Sequence, residues 1–128
     1  MRGILDTCTF IWLALDPTRL SQNAIEFIDD DSNELALSDA SVMEIVMKYR
    51  VGKLPLPEAP HLWVPTRRDF FKLAPLALSE PTIFRSGRLP DVNKDSFDRL
   101  IAAHGVESGS VVISPYSPLS KLGASRIW

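Results

Sequence analysis

Short apolar runs alternate with stretches of helical spacing along most of this chain, and that alternation leaves few folds open. Residues 2–6, Glu34 to Ser38, Leu76 to Leu78, Ser110 to Ser114 and Ala124 to Trp128 read as strands. Between them, residues 8–15, Leu20 to Ile28, 39–50, Thr66 to Leu73, a segment opening at Ser79-Glu80-Pro81, and residues 95–106 read as helices. Strands alternating with helices imply a parallel sheet with helices on both faces. The clearest helix, 39–50, carries Val42, Ile45, Val46 and Tyr49 at helical spacing, and Gly52 is its natural stop. Pro55, Pro57, Pro60 and Pro65 break up residues 53–65; Phe70, Phe71 and Leu73 are expected to point inward after them.

A chain of 128 residues is expected to form one domain over residues 1–128. At that size, folding buries roughly two thirds of the unfolded surface, so no disulfide is required. With Cys8 as the one cysteine no intramolecular disulfide exists, which fits a reducing cytosol. No run approaches the ~20 apolar residues of a membrane span. The expected setting is cytoplasmic, with no membrane partner.

Charge is unevenly spread. Residues 1–47 hold 2 basic and 9 acidic side chains, and residues 48–128 hold 12 basic and 7 acidic. An acidic end beside a basic face suits a metal-dependent nuclease, but charge alone favours ordinary solvated faces.

Three acids stand at element junctions. Asp6 closes the run Ile4-Leu5-Asp6 just before a helical segment, and chemistry in open α/β sheets collects beyond the carboxyl ends of strands. Glu44 and Asp98 occupy similar junctions. Local structure offers competing readings for each. Ser41 and Glu44 have capping-box spacing, and Lys48 stands one turn after Glu44. Asp95 suits an N-cap, with Asp98 at the third helical position. Arg99 reads as a phosphate contact or a surface residue. Taken together, converging carboxylates repel one another, and a cation relieves the repulsion. Mg²⁺ and Mn²⁺ favour such all-oxygen sites, for which a thiolate is too soft. Cys8 therefore reads as a small buried apolar residue. His61 and His104 are not spaced as a metal pair and read as structural or exposed.

Four segments in order resemble the PIN-domain ribonucleases, and within them the VapC toxins of bacterial toxin–antitoxin pairs. They are Ile4-Leu5-Asp6-Thr7 with Phe10-Ile11-Trp12, Leu37-Ser38 through Ser41-Val42-Met43-Glu44-Ile45 and Lys48, Gly52-Lys53-Leu54-Pro55-Leu56, and Lys94-Asp95-Ser96-Phe97-Asp98-Arg99-Leu100-Ile101-Ala102-Ala103. The resemblance implies a three-layer α/β/α sandwich with a mostly parallel central sheet. It implies a Mg²⁺- or Mn²⁺-dependent endoribonuclease in which Asp6, Glu44 and Asp98 are catalytic metal-binding acids and Asp95 a further metal candidate. Thr7, Ser41, Lys48, Arg99 and Ser114, within or beside the matched segments, are candidate substrate-positioning residues. The implied partners are an RNA substrate, a VapB-like cognate antitoxin and a second copy of the chain. Trp12, Phe27 and Trp63 support the dimer as apolar residues that a small chain would not bury comfortably.

One departure bears on function. The family often has a fourth acid after a late strand, in a pattern like Thr-x-Asp, where this chain has Ile113-Ser114-Pro115-Tyr116. A phenol is a poor Mg²⁺ ligand. Beside the active toxin stand two alternatives: a catalytically impaired PIN fold serving as a protein- or RNA-binding module, and a processing nuclease with no antitoxin.

Overall fold

In the computed structural model, which describes residues 1–128, five strands form one parallel sheet in the order β3-β2-β1-β4-β5. The strands are β1 (Arg2–Leu5), β2 (Glu34–Ser38), β3 (Ala74–Leu76), β4 (Val111–Ile113) and β5 (Arg126–Ile127). Six helices connect and cover them: α1 (Thr7–Leu15), α2 (Gln22–Asp29), α3 (Asp39–Arg50), α4 (Pro60–Phe70), α5 (Glu80–Arg88) and α6 (Ser96–Ser108). Two 3-10 turns, Pro17–Arg19 and Ser117–Leu122, complete the chain. No helix is long and apolar enough to cross a membrane.

The period-2 geometry of strands divides the core into two layers. Ile4 and Val112 pair in register and point to one face, where they meet Ile101 and Ala102 of α6 with Leu119 and Leu122. Leu5 and Ile113 pair next to them and point to the other face, against Phe10 of α1, Ala24 and Phe27 of α2, Ile45 of α3 and Trp63 of α4. These four strand residues are fully buried. Each contributes roughly 1.5–3 kcal/mol of transfer free energy. Gly3 allows one close approach: a Cβ there would lie 2.5 Å from Phe27 Cε1, so only glycine lets that ring lie against β1.

The chain runs from β1 outward through β2 to β3, then crosses back to place β4 on the other side of β1. The strand order reverses between β1 and β4. In an open α/β sheet, that reversal opens a crevice beyond the strand ends. Asp6 and Ser114 are the first residues beyond those two strands.

Several local expectations are corrected. The helix expected to begin at Thr66 begins at Pro60, because proline at a first helical position forfeits an N–H that has no partner there anyway. Pro65 then sits inside the helix and is tolerated beside buried Trp63 and Val64. Phe70, expected inward, is 69% exposed, whereas Leu73 is buried. The third strand is Ala74–Leu76, not Leu76–Leu78. On α3, Ile45 is buried but Val46 and Tyr49 are exposed, so the apolar stripe is narrower than its spacing implies. Trp63 and Phe27 are buried in the core, with Phe10 and Trp63 meeting edge to face at 5.6 Å. They therefore leave no surplus that calls for a dimer.

Candidate active site

Asp6 leaves β1 with an extended backbone and caps α1: its Oδ1 accepts the Thr9 amide at 2.8 Å. Its own amide donates to the Ile113 carbonyl at 3.2 Å, and the Thr9 hydroxyl donates to the same carbonyl at 2.8 Å. These bonds tie the junction after β1 to the end of β4. The Ser114 side chain, like the Thr9 bonds, works to hold the Asp6 pKa down. The carboxylate is buried, and burial raises its pKa despite these bonds, with a smaller push from Glu44.

Glu44 comes from the second turn of α3. The capping box expected of Ser41 and Glu44 does not form. The helix starts at Asp39, as its span of 39–50 implies, with Ser38 as N-cap accepting the Ala40 amide at 3.0 Å. Ser38 also bonds buried His104, whose Nδ1 lies 2.9 Å from its hydroxyl. Glu44 is consequently free to face the pocket. The Thr7 hydroxyl donates to its Oε1 at 2.5 Å, and Lys48 Nζ donates to Oε2 at 2.5 Å. Ser41 Oγ lies 3.0 Å from Thr7 Oγ1.

Asp98 enters from the first turn of α6, and Asp95 caps that helix by accepting the Phe97 and Asp98 amides at 2.9 and 3.0 Å. The Asp98 pKa is pushed up to about 6, first by burial and next by the neighbouring Asp95 charge. Asn93, which sequence reasoning missed, donates to Asp98 Oδ2 at 3.3 Å and accepts the Asp95 amide at 2.8 Å. The signal was present: asparagine two residues before a capping aspartate is an Asx-turn pattern.

Asp6, Glu44, Asp98 and Asp95 all line one pocket of about 320 Å³. Thr7, Cys8, Lys48, Pro115 and Tyr116 complete its wall. The Cys8 thiol has its pKa pushed up to about 12 by burial and the Asp6 charge, so it presents no thiolate. No three histidine, cysteine or acidic side chains close into a ready-made metal cage. The donor set nonetheless fits a hard cation. It is all oxygen, it is anionic, and the neighbouring acids add to the raised pKa values of Asp6 and Asp98. Mg²⁺ in particular keeps much of its water shell, and such a shell spans carboxylates that do not touch.

The substrate-positioning candidates divide. Lys48 lines the pocket. The Thr7 hydroxyl is spent on Glu44. Ser41 and Ser114 are fully buried, Ser41 against the Thr7 hydroxyl and Ser114 accepting the Tyr116 amide, so neither is exposed to a substrate. Arg99 is corrected outright. Its guanidinium donates to the carbonyls of Ser86, Leu89, Pro90 and Asn93 at 2.8–3.0 Å, so it staples the α5–α6 connection and is unavailable to a phosphate.

A model of the PIN domain family matches residues 3–115. Ribonuclease VapC16 of Mycobacterium tuberculosis is 38% identical over 64 residues, covering 47% of this chain and 45% of that protein. This chain thus matches less than half of that relative's length. Among solved structures, VapBC2 from Rickettsia felis bound to a promoter DNA fragment superposes with TM-score 0.71 at 18% identity, over 99% of this chain and 98% of that one. VapBC-1 from nontypeable Haemophilus influenzae superposes with TM-score 0.68 at 16% identity, over 99% and 97% of the two chains. Such identities establish the shared fold. With the family model spanning nearly all of the sheet and every acid of the pocket, the chain belongs to the PIN-domain family.

Proposed function

We propose that this protein is a Mg²⁺- or Mn²⁺-dependent endoribonuclease, the toxin of a VapBC-type toxin–antitoxin pair. The observation that carries the reading is the convergence of Asp6, Glu44 and Asp98, 92 positions apart at the extremes, on one pocket at the strand-order reversal. Asp6, Glu44 and Asp98 would hold the cation, with Asp95 at its margin. A bound divalent cation supplies an activated water and offsets charge on the phosphoryl and leaving oxygens. The chain's own part is to fix the acids. Thr9 orients Asp6, Thr7 orients Glu44, and Asn93 orients Asp98. Lys48 adds a positive charge on the pocket wall where an RNA phosphate would approach.

Likeness to ribonuclease VapC16 supports an RNA substrate, and likeness to the VapBC assemblies supports a VapB-like antitoxin. A homodimer belongs to the same proposal. Its support is the exposed Met43, Val46 and Met47 on one side of α3, in place of the buried aromatics. Light scattering of the purified chain at micromolar concentration tests it, and a monomer removes it.

The deciding experiment is cleavage of total RNA by the purified protein with and without Mg²⁺ or Mn²⁺, with Asp6→Asn as control. Metal-dependent cleavage lost in the variant supports the nuclease. A second reading, the impaired PIN fold as a binding module, is favoured by one observation: Tyr116, not an acid, stands on the pocket wall. RNA or antitoxin binding without cleavage would select it.

A further inference from the structure

We propose that Lys48 is the resident counter-ion of Glu44, and that loading a divalent cation displaces its ammonium from Oε2 while the Thr7 hydroxyl keeps Oε1 in place. The inference rests on the reading of this pocket as a cation site. Both oxygens of Glu44 are engaged, but by unlike partners. Thr7 is buried and belongs to the first turn of α1, so its bond to Oε1 at 2.5 Å is fixed by the backbone junction after β1. Lys48 is a long flexible side chain, 49% exposed, whereas the Glu44 side chain is only 9% exposed. Such a pair costs little to separate on the lysine side, because water receives the ammonium, and much on the glutamate side unless another cation arrives.

There is room for the exchange. Lys48 lies on the wall shared by the acidic pocket and an adjoining groove of about 250 Å³. That groove continues past Cys8, Trp12 and Leu54 to Lys53. An ammonium leaving Glu44 can therefore move into the groove. One oxygen of Glu44 is thus permanently oriented, and the other is held by a cation the protein itself supplies.

The test is calorimetric titration of Mn²⁺ into the wild-type protein, Lys48→Met, Lys53→Met and Asp98→Asn. Lys48→Met is expected to bind Mn²⁺ about fivefold more tightly than wild type, the factor set by an ion pair near 1 kcal/mol. Lys53→Met removes the same charge from the neighbouring groove without touching Glu44, and is expected to leave the affinity nearly unchanged. In a Glu44→Gln background the gain from Lys48→Met should vanish, as a double-mutant cycle requires of a direct pair. Equal or weaker binding in Lys48→Met overturns the proposal, as does an equal gain in Lys53→Met. Failure of the site itself reads differently: wild type and Asp98→Asn would then show the same Mn²⁺ response.

Discussion

Asp6 Oδ1 accepts the Thr9 amide at 2.8 Å, so the carboxylate proposed as a cation ligand is also the N-cap of the helix that follows it. Capping and catalysis are rival explanations for such a residue only if they exclude each other, and under the proposed function one side chain serves both. The two roles separate by substitution. Asparagine caps about as well as aspartate, while alanine loses a cap worth about 1 kcal/mol. Asp6→Asn should therefore abolish metal-dependent cleavage with metal-free stability kept or improved, since a buried charge is removed. Asp6→Ala should lose both. Denaturant titration beside the cleavage assay checks this. An Asn variant that unfolds easily yet still cleaves RNA would reject the assignment.

Metal-free stability should fall as pH rises through the Asp98 titration. The folded carboxyl titrates near 6, above its ordinary value of 3.8, because burial and the Asp95 charge disfavour the anion. Between those values the folded protein binds more protons than the unfolded chain, so stability declines with rising pH. The contribution is fully present below about 3.8 and gone above about 6. The raised Asp6 pKa acts in the same direction. Melting temperatures across this window should slope downward for the wild type and more gently for Asp98→Asn. Saturating Mn²⁺ should remove most of the slope. A wild-type profile that rises across the window would contradict the assigned shift.

The fold was largely legible in the sequence because its strands are short apolar runs and several of its helices carry clean starts. Ser21, Ser79 and Asp95 cap as their positions suggest. The misreadings have specific causes. Pro60 reads as a breaker in a proline-rich stretch, although at a first helical position it starts a helix. The Ser41-to-Glu44 spacing fits a capping box, although Ser38 competes for the same task and wins by closing β2 directly into α3. The acids themselves were visible from their junctions. Their supports were not, because Thr7 to Glu44 and Thr9 to Ile113 are contacts over 37 and 104 residues that only the assembled sheet creates.

Arg99 tests whether the staple has been identified correctly. Four carbonyls share its guanidinium, in a planar fork that lysine does not reproduce. Arg99→Ala should cost roughly 2 kcal/mol or more, since charge-assisted bonds are lost and part-buried carbonyls are left without donors. Arg99→Lys should recover only part of that loss. The same staple fixes the Asn93 carbonyl, so Mn²⁺ affinity at Asp98 should weaken as well. Chemical denaturation and Mn²⁺ titration measure the two effects. An Arg99→Ala protein of wild-type stability with a raised KM for RNA would restore the phosphate-contact reading.

Tyr116 lies two residues beyond buried Ser114, whose hydroxyl accepts the Tyr116 amide at 2.9 Å. That bond turns the chain after β4 so that the position lines the acidic pocket, with Tyr116 itself 41% exposed. A carboxylate there would add charge and an oxygen where the phenol adds neither, and Mg²⁺ sheds water only when charge draws it in. Tyr116→Asp should therefore tighten Mn²⁺ and Mg²⁺ binding. It should also lower the melting temperature of the metal-free protein, because another acid joins a cluster already strained by repulsion. The two effects combine into a larger metal-induced rise in melting temperature than the wild type shows. Calorimetric titration and thermal melts with and without Mn²⁺ read them separately. Tighter binding with more cleavage would mean that the phenol limits an active nuclease. Tighter binding with no cleavage would favour the binding-module reading. Unchanged affinity would mean that a side chain at 116 does not reach the cation, whatever its place on the pocket wall.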